Sequence, residues 1–501
     1  MFVRKKKNRS GSVSVQIIKK INRNNKVIKT IGSSKDPDEV NRLFQMGLYE
    51  LPRLFGATLF DEIREPDLSQ LSNDSIRVVG PELVFGKIFD HIGFSAINDR
   101  LFRDLCISRI THPGSKLQLS KYLQENNRVE ITEDRIYYFM DRLHTKHKSQ
   151  AEEISFRHTR KVLGGDIGVV FYDMTTIYFE SDQPDDFRQT GFSKEGKHQH
   201  PQIYLGLLVG KNGYPIGYDL FEGSIYEGHT LIPVLERFER RFNLQKPIVV
   251  ADAGLLSTEN IDALIDNQYS FILGARIKNE SAKVKKQILR SPLEDGQIEK
   301  IIKKDNTTLF ISYSHQRAKK DAFNREKGLK RLEKSLRAGR LTKSNINNRG
   351  YNKYLRLEGE VKIEIDYQKF ENDQKWDGLK GYITNTDLTG KEVIENYNNL
   401  WLIEKAFRIS KTDLKIRPIY HRLRERIEAH ISISFVSYLL FKEFERVLAQ
   451  NNVNVSVNQA IKQINKMHEV VYQYPNGNSQ RVLLKNNPIQ EQIMEVIKTE
   501  F

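Results

Sequence analysis

Apolar runs that alternate with helix-like segments between positions 164 and 275 constrain the fold of this chain most strongly. In chain order these are a strand at 167–173, a hairpin of strands 204–209 and 215–220 around Asn212-Gly213, a helix at 231–238, a strand at 247–252, a helix at 258–267 and a strand at 271–273. Strands that alternate with helices predict an α/β fold built around one sheet. Ser257 stands where a residue that caps the second helix is expected.

Two acidic residues follow the apolar strand runs directly. Asp173 ends the run Ile167–Asp173, and Asp252 ends the run Pro247–Asp252. Adjacent strands that end in acids can bring two carboxylates together at one edge of a sheet. Two like charges held that close require a cation, and hard oxygen ligands favour Mg²⁺. The alternative is that each aspartate only caps a turn or a helix.

A third acid lies on a helix predicted over 397–414. Tyr397, Glu404 and Lys411 are spaced seven residues apart and therefore lie along one line, which Arg408 joins one turn after Glu404. Apolar stripes on both sides of this line predict a buried helix that carries a carboxylate and two cations. A simple Glu404–Arg408 pair within the helix, worth ~0.3–0.5 kcal/mol, is the alternative interpretation.

Positive charge is concentrated in two segments. The first 35 residues contain 11 Lys and Arg and no acid, and residues 276–349 contain 21 Lys and Arg against 8 acids. Together these segments exceed the net charge of +16, so the remainder is slightly acidic. Two basic surfaces favour binding of a polyanion such as DNA, although solvated charge runs are the alternative.

The pattern along the chain predicts six regions, and the DNA-related roles named with them are what the family resemblance described below implies. They are a basic, DNA-binding β-hairpin (1–36), a mainly helical region for DNA-end binding or dimerisation (37–163), the first part of the α/β core (164–275), a basic, β-rich insertion (276–380), the second part of the core with the Glu404 helix (381–448) and a C-terminal helical region (449–501).

Composition excludes several classes of protein. The longest apolar stretch near the C-terminus, residues 431–441, is too short for the ~20 residues that span a bilayer, so no membrane is expected as a partner. One cysteine, Cys106, excludes an internal disulfide and a cysteine-based zinc cluster. With a basic N-terminus that lacks an apolar signal region, the expected location is the cytoplasm, and the family resemblance described below implies association with the bacterial nucleoid.

The pattern Tyr397-x2-Leu400-x3-Glu404-x6-Lys411 resembles the Y-x2-R-x3-E-x6-K box of DDE transposases from bacterial insertion sequences, the insertion-sequence-four superfamily. Four further stretches resemble its sixteen-thirty-four-type branch: 172–180, 191–194, 201–202 and 401–408. The resemblance covers about residues 165–440. Leu400 stands where the wider superfamily has arginine, and Arg408 is a candidate to replace that contact.

This resemblance implies an RNase H-like fold with Asp173, Asp252 and Glu404 as the catalytic, metal-binding triad. Two Mg²⁺ ions, or Mn²⁺ in their place, would bridge the scissile phosphate. Tyr397 and Lys411 would hold phosphates of the transposon end. The implied activity is metal-dependent cleavage of inverted-repeat ends and their transfer to target DNA.

Other residues are weaker candidates for contact with DNA. Trp376 in the insertion could stack on an unpaired base, although core packing is the favoured interpretation, and Arg422 precedes a helix predicted from about Leu423 to Leu448. Because two ends must be processed together, a homodimer assembled on double-stranded DNA is expected. The alternatives are a transposase-derived DNA-binding protein without catalysis and a stand-alone RNase H-like nuclease.

Overall fold

A computed structural model gives the structure of the chain. It describes residues 1–21, 24–54, 75–127, 131–181, 183–191, 193, 196–225, 227–243, 245–255, 257–303, 306–347, 350–358, 362–473 and 479–501. The chain divides into two compact units, one of residues 1–76 with 470–482 and one of residues 77–469 with 483–501.

The first unit contains a small basic sheet covered by a helix. Its elements are β1 (Phe2–Lys7), β2 (Val13–Ile21), β3 (Asn24–Ser34) and α1 (Pro37–Leu54). The three strands are antiparallel in the order β1-β2-β3, and Val15 and Leu43 are buried between sheet and helix. Strands β2 and β3 pair as a hairpin requires, and residues 22–23 between them lie outside the described residues. Most lysines of β1 to β3 are exposed.

The helical pattern predicted up to about position 163 is present in the described residues of that range, apart from one short strand. The elements are β4 (Ile76–Val78), α2 (Lys87–Ile92), α3 (Arg100–Thr111), α4 (Lys116–Asn127), α5 (Glu133–Arg142) and α6 (Lys148–Val162). Asp99 caps α3 and Thr132 caps α5 through their side-chain oxygens. These residues favour such positions because they accept backbone N–H groups that the helix leaves unpaired.

The next segment follows the predicted α/β order. Its elements are β5 (Val169–Tyr178), β6 (Gln202–Val209), β7 (Pro215–Glu222), α7 (Leu231–Phe242), β8 (Ile248–Ala251), α8 (Thr258–Asp266) and β9 (Phe271–Ala275). Asn212 and Gly213 turn the predicted β6–β7 hairpin with positive φ angles. Ser257 caps α8 by accepting the Asn260 amide at 3.1 Å, as predicted.

The segment predicted as a β-rich insertion contains more helix than expected. Its elements are α9 (Ala282–Ile288), β10 (Ile298–Ile302), β11 (Thr308–Tyr313), α10 (His315–Arg337), β12 (Leu355–Glu358), β13 (Lys362–Ile365), α11 (Tyr367–Gln374) and β14 (Leu379–Thr384). The basic helix α10 has 23 residues and begins at His315. Ser314 caps it at that point, a signal that sequence analysis missed.

The C-terminal part is mainly helical. Its elements are α12 (Gly390–Asn398), α13 (Trp401–Arg408), α14 (Arg424–Gln450), α15 (Val457–Ile464), β15 (His468–Gln473), β16 (Ser479–Leu483) and α16 (Pro488–Glu500). The helix predicted as continuous from Tyr397 to Leu414 is therefore broken at 399–400, and it ends in a π-helical turn, Ile409–Asp413. Most of α14 is buried. No helix in the described parts of the chain is both long and apolar enough to cross a membrane.

One sheet of eight strands organises the second unit, in the order β10-β11-β14-β9-β8-β5-β6-β7. Strands β5, β8 and β9 are parallel, and their neighbours are antiparallel. Because side chains alternate across a strand, β5 sends Val170 and Tyr172 to one core and Phe171 and Ile177 to the other. Thus α7 and α8 cover one face, and α12, α13 and α14 cover the opposite face.

Candidate active site

The register of four central strands places a row of residues on the face covered by α12 and α13. The pairs Tyr172–Ala251, Ala251–Leu273 and Gly274–Tyr382 are opposite one another. One step further along β5, β8 and β9 stand Asp173, Asp252 and Gly274. Neighbouring strands lie roughly 4.8 Å apart, so the structure brings Asp173 and Asp252 side by side on one face.

Asp173 reaches this position differently from the sequence prediction. It does not end its strand, because β5 continues to Tyr178 and pairs with β6 throughout that stretch. What ends is the neighbouring strand β8, whose last residue Ala251 pairs with Tyr172. Asp252 does follow its strand, as predicted. Each carboxylate accepts one nearby backbone N–H at 2.7 Å, Asp173 from Met174 and Asp252 from Gly254.

Gly274 provides the space for Tyr397. A Cβ atom at position 274 would lie 3.0 Å from Cζ of Tyr397 and still closer to its hydroxyl oxygen, and 3.1 Å from the amide nitrogen of Ala253. The phenol of Tyr397 therefore lies against the backbone of β9, next to the turn that carries Asp252. Burial, together with the carboxylates of Asp252 and Glu404, raises the pKa of Tyr397. Its hydroxyl group thus stays protonated and can donate a hydrogen bond near both acids.

Lys380 completes the cationic side of the site. Its ammonium group lies 4.4 Å from the ring centre of Tyr397 and 5.2 Å from that of Tyr382. Burial and the nearby Arg317 lower the pKa of Lys380, while the carboxylate of Glu404 opposes that shift. Sequence analysis missed Lys380. The available signal was a lysine two residues before Tyr382 in an otherwise apolar strand, since both side chains then share one face.

Lys411 connects the α13 segment to the strand of Asp173. Its ammonium group donates a hydrogen bond of 2.5 Å to Oγ1 of Thr175, two residues beyond Asp173 and on the same face of β5. Glu404 and Arg408 are exposed on α13. No ion pair between them is formed in the described structure, so the simple intrahelical pair considered above does not explain their presence.

A divalent cation would find two of its ligands in place at this row. Asp173 and Asp252 offer hard carboxylate oxygens on neighbouring strands, which suits Mg²⁺ or Mn²⁺. Glu404 does not join them: among the residues that the structure describes, no group of three or more His, Cys, Asp or Glu side chains is placed to hold a metal ion. Its known neighbours are Tyr397 and Lys380, on which it acts electrostatically.

The remaining predicted contacts lie outside this row. Trp376 is half-buried and packs against an apolar cluster with Ile277, Ile301 and Ile311, in agreement with the packing interpretation. It also lines a cavity of about 630 Å³ that contains Arg317 and Lys380. Arg422 is exposed before α14. Phe192 and Lys194, which belong to the motif at 191–194, lie outside the described residues.

One comparison with known proteins shows the family of the chain. Residues 164–440 match the family described as the transposase DDE domain. This match covers more than half of the chain and includes Asp173, Asp252 and Glu404. The chain therefore belongs to the DDE transposase family, whose members generally depend on divalent metals.

Similarity to solved structures is low. A structure of the piggyBac transposase synaptic complex with hairpin DNA is 9% identical, with a TM-score of 0.39, over 81% of this chain and 82% of that chain. A Mos1 transposase paired-end complex with the left transposon end is 10% identical, with a TM-score of 0.16, over 48% of this chain and 68% of that chain. The comparison with curated proteins gave no match.

The contact between Gly274 and Tyr397 predicts a coupled effect on stability. Gly274→Ala should lower the free energy of unfolding by about 1–3 kcal/mol, because the new methyl group overlaps the phenol. In a Tyr397→Phe background the same change should cost less, since the hydroxyl oxygen closest to the methyl group is gone. Urea unfolding of the four proteins in this double-mutant cycle measures the coupling. Additive effects would contradict the contact.

Proposed function

We propose that this protein is a DNA transposase that binds the inverted-repeat ends of an insertion sequence, cleaves them and joins them to target DNA. The observation that carries the proposal is the placement of Asp173 and Asp252 side by side, with Lys380, Tyr397 and Lys411 on the same face, inside the segment that matches the transposase DDE family. Phosphodiester chemistry that uses no protein nucleophile requires carboxylates that bind a metal, next to groups that donate hydrogen bonds to phosphates.

We further infer that the core is RNase H-like. Five of the sheet strands have the order β7-β6-β5-β8-β9, in which three antiparallel strands are followed by two parallel ones. In chain order, Asp173 lies on the first strand of this set and Asp252 directly follows the fourth. Together with the Tyr397–Lys411 pattern, this supports membership of the insertion-sequence-four superfamily and its sixteen-thirty-four-type branch.

Asp173, Asp252 and Glu404 are the residues we assign to two Mg²⁺ ions, for which Mn²⁺ could substitute. When bound, such ions activate the attacking hydroxyl group and stabilise the leaving oxygen. Three carboxylates repel one another when held together, so Glu404 needs a cation to join the two aspartates. Glu404 lies on the short helix α13, between the break at 399–400 and the π-helical turn. This helix is separate from the strands that position the two aspartates.

The cations and donors around the acids hold the DNA. We assign Lys411, Arg408 and the hydroxyl group of Tyr397 to phosphates of the transposon end, because each can donate hydrogen bonds to phosphate oxygens. We assign Trp376 and Arg422 to further contacts, the first by stacking on an unpaired base and the second by charge. Because two ends react together, the active form is a homodimer assembled on double-stranded DNA.

A plasmid assay tests the proposal. The full chain is incubated with Mg²⁺ and a supercoiled plasmid that carries the DNA flanking its gene, and the products are sequenced. Cleavage at inverted repeats and joined products are expected. Cleavage without any joined product would indicate a nuclease, whereas salt-sensitive binding with no cleavage in Mg²⁺ or Mn²⁺ would indicate a DNA-binding protein without catalysis. Either result would overturn the proposal.

Lys411→Met should weaken binding of end DNA and reduce its dependence on salt. Loss of one phosphate contact lowers the slope of log K against log salt concentration by about 0.9. Fluorescence anisotropy over a salt series measures both quantities. Lys462→Met, which removes an exposed lysine of α15, is the matched control and should leave both unchanged. An unaltered slope in Lys411→Met would remove this residue from the DNA interface.

A further inference from the structure

A second cavity, of about 420 Å³, lies between α4, α5 and the segment that precedes α14. It is separate from the row of residues described above. Its lining is rich in basic side chains, namely Arg109, Lys116, Lys415, Arg417, His421 and His430, and contains one carboxylate, Glu133. A cavity with this imbalance of charge is suited to an anion.

Two buried cations of this cavity, Arg109 and Lys116, have no counter-ion among the residues that the structure describes. Each is only 6% exposed, and neither forms a salt bridge within the described residues. The ammonium group of Lys116 is fully buried and has no hydrogen-bond partner there. Arg109 has only long contacts of 3.5 Å, to the carbonyl oxygens of Gly114 and Lys415 and to Nδ1 of His430. Buried charges without partners are costly, and both residues line this cavity, so their charge favours a bound anion there.

Electrostatics within the cluster supports the same conclusion. Burial and the neighbouring Arg109 lower the pKa of Lys116 well below its usual range. Burial, Lys116 and Arg109 lower the pKa of His421 to about 3. The same causes lower the pKa of His430. Burial first, and like charges second, therefore destabilise the charged form of each of these groups, and a bound anion would relieve the repulsion between them.

The start of α4 adds directed donors. Lys116 is the first residue of this helix of 12 residues, and the Ser115 hydroxyl group accepts the Gln118 amide at 3.2 Å. The N-terminus of a helix carries a partial positive charge and favours phosphate groups. The exposed ring of Tyr420 and the exposed side chain of Leu117 lie at the rim of the cavity. They offer a surface for a sugar or base attached to a phosphate bound there.

We propose that this cavity binds a phosphate group through Lys116 and Arg109. The phosphate belongs either to the DNA backbone or to a small phosphorylated ligand. The first source rests on the proposed function. The fold also supports this source. Ile419, the neighbour of the cavity residue Tyr420, forms a β-bridge with Phe179, which directly follows β5 and lies six residues beyond Asp173. At about 3.3 Å per residue the cavity lies roughly 20 Å from the carboxylates, a little over half a turn of B-DNA.

Thermal unfolding of the full chain in chloride buffer, with inorganic phosphate as the probe, is the first test. Phosphate should raise the unfolding temperature of the wild type in a saturable manner, and calorimetry should detect its binding. Lys116→Met should raise the unfolding temperature in chloride alone, because it removes an unpaired buried cation, and should weaken phosphate binding at least tenfold. Lys121→Met, on an exposed position of α4, should behave as the wild type.

Titration with end DNA distinguishes the two sources. If the DNA backbone supplies the phosphate, Lys116→Met lowers the salt slope of DNA binding by about 0.9. If a small ligand does, DNA binding is unchanged and only the phosphate response is lost. Lys415→Met, at the exposed rim of the cavity, should weaken phosphate binding by a smaller factor than Lys116→Met. This variant replaces Lys116→Met in the test if Lys116→Met does not fold.

Two outcomes would overturn the phosphate site. One is a wild type that does not respond to phosphate, together with a Lys116→Met variant whose DNA binding is unchanged. The other is stabilisation by polyglutamate but not by phosphate, which would indicate an acidic protein segment as the occupant. Asp173→Asn keeps the cavity intact, so a phosphate response in that variant separates this site from any failure of the proposed catalytic function.

Discussion

Replacement of Asp173 or Asp252 by asparagine is expected to reduce DNA cleavage by about 1,000-fold or more while leaving the fold intact. A metal that acts as a Lewis acid is worth several kcal/mol, and each ~1.4 kcal/mol corresponds to a factor of ten in rate. Asparagine keeps the shape and the hydrogen bond that each side chain accepts from the backbone. Single-turnover cleavage of end DNA in Mg²⁺ measures the effect.

Three variants, one for each proposed metal ligand, and one control variant test this prediction together. Glu404→Gln should show a loss of similar size, because the proposal requires this residue as the third ligand. Asp262→Asn, on an exposed position of α8, should leave cleavage unchanged. DNA affinity and unfolding temperature should stay close to those of the wild type in all four proteins. Full cleavage by Asp173→Asn and Asp252→Asn would show that the catalytic site lies elsewhere.

Local patterns predicted most of the elements around this site but not their ends. The strands and helices between 167 and 275 were predicted because period-two and period-3.6 patterns and caps such as Ser257 are local signals. The continuation of β5 beyond Asp173 was missed because it depends on pairing with β6, which lies more than twenty residues away. The break at 399–400 was missed because both neighbouring helices are amphipathic and no Gly or Pro marks the boundary.

The candidate site was predictable only in part for the same reason. Asp173, Asp252 and Lys411 stood out because a charge in an apolar element is visible in the sequence, and the structure brings these three to one face. Gly274 and Lys380 owe their positions to the register of β9 and β14, which the sequence alone does not give. Glu404 was expected beside the aspartates, and that arrangement stays a prediction for the metal-bound protein.

A buried ionic cluster beneath the sheet predicts the largest effect on stability. Glu443 of α14 is 0% exposed, and its carboxylate accepts hydrogen bonds from Tyr214 at 2.7 Å and Arg446 at 2.6 Å. Nε2 of His158 lies 3.2 Å from the same carboxylate, at ion-pair distance. Glu443→Ala should lower the free energy of unfolding by about 3–5 kcal/mol, because it leaves the buried partners without their anion. Urea unfolding at pH 7 measures this loss. Glu425→Ala, at an exposed position of the same helix, should change stability by less than about 0.5 kcal/mol.

The same cluster makes the stability of the protein depend on pH. Burial would raise the pKa of Glu443, but His158, Arg446 and Tyr214 outweigh it and hold the pKa well below its ordinary value of 4.5. A carboxylate with a lowered folded-state pKa stabilises fully above the unfolded-state pKa, and its contribution is lost as the pH falls through the folded-state value. The wild type should therefore lose stability below about pH 4.5 more steeply than Glu443→Gln, which cannot take up this proton. Parallel pH profiles for the two proteins would show that the cluster does not hold Glu443 ionised, because the extra proton uptake on unfolding would be missing.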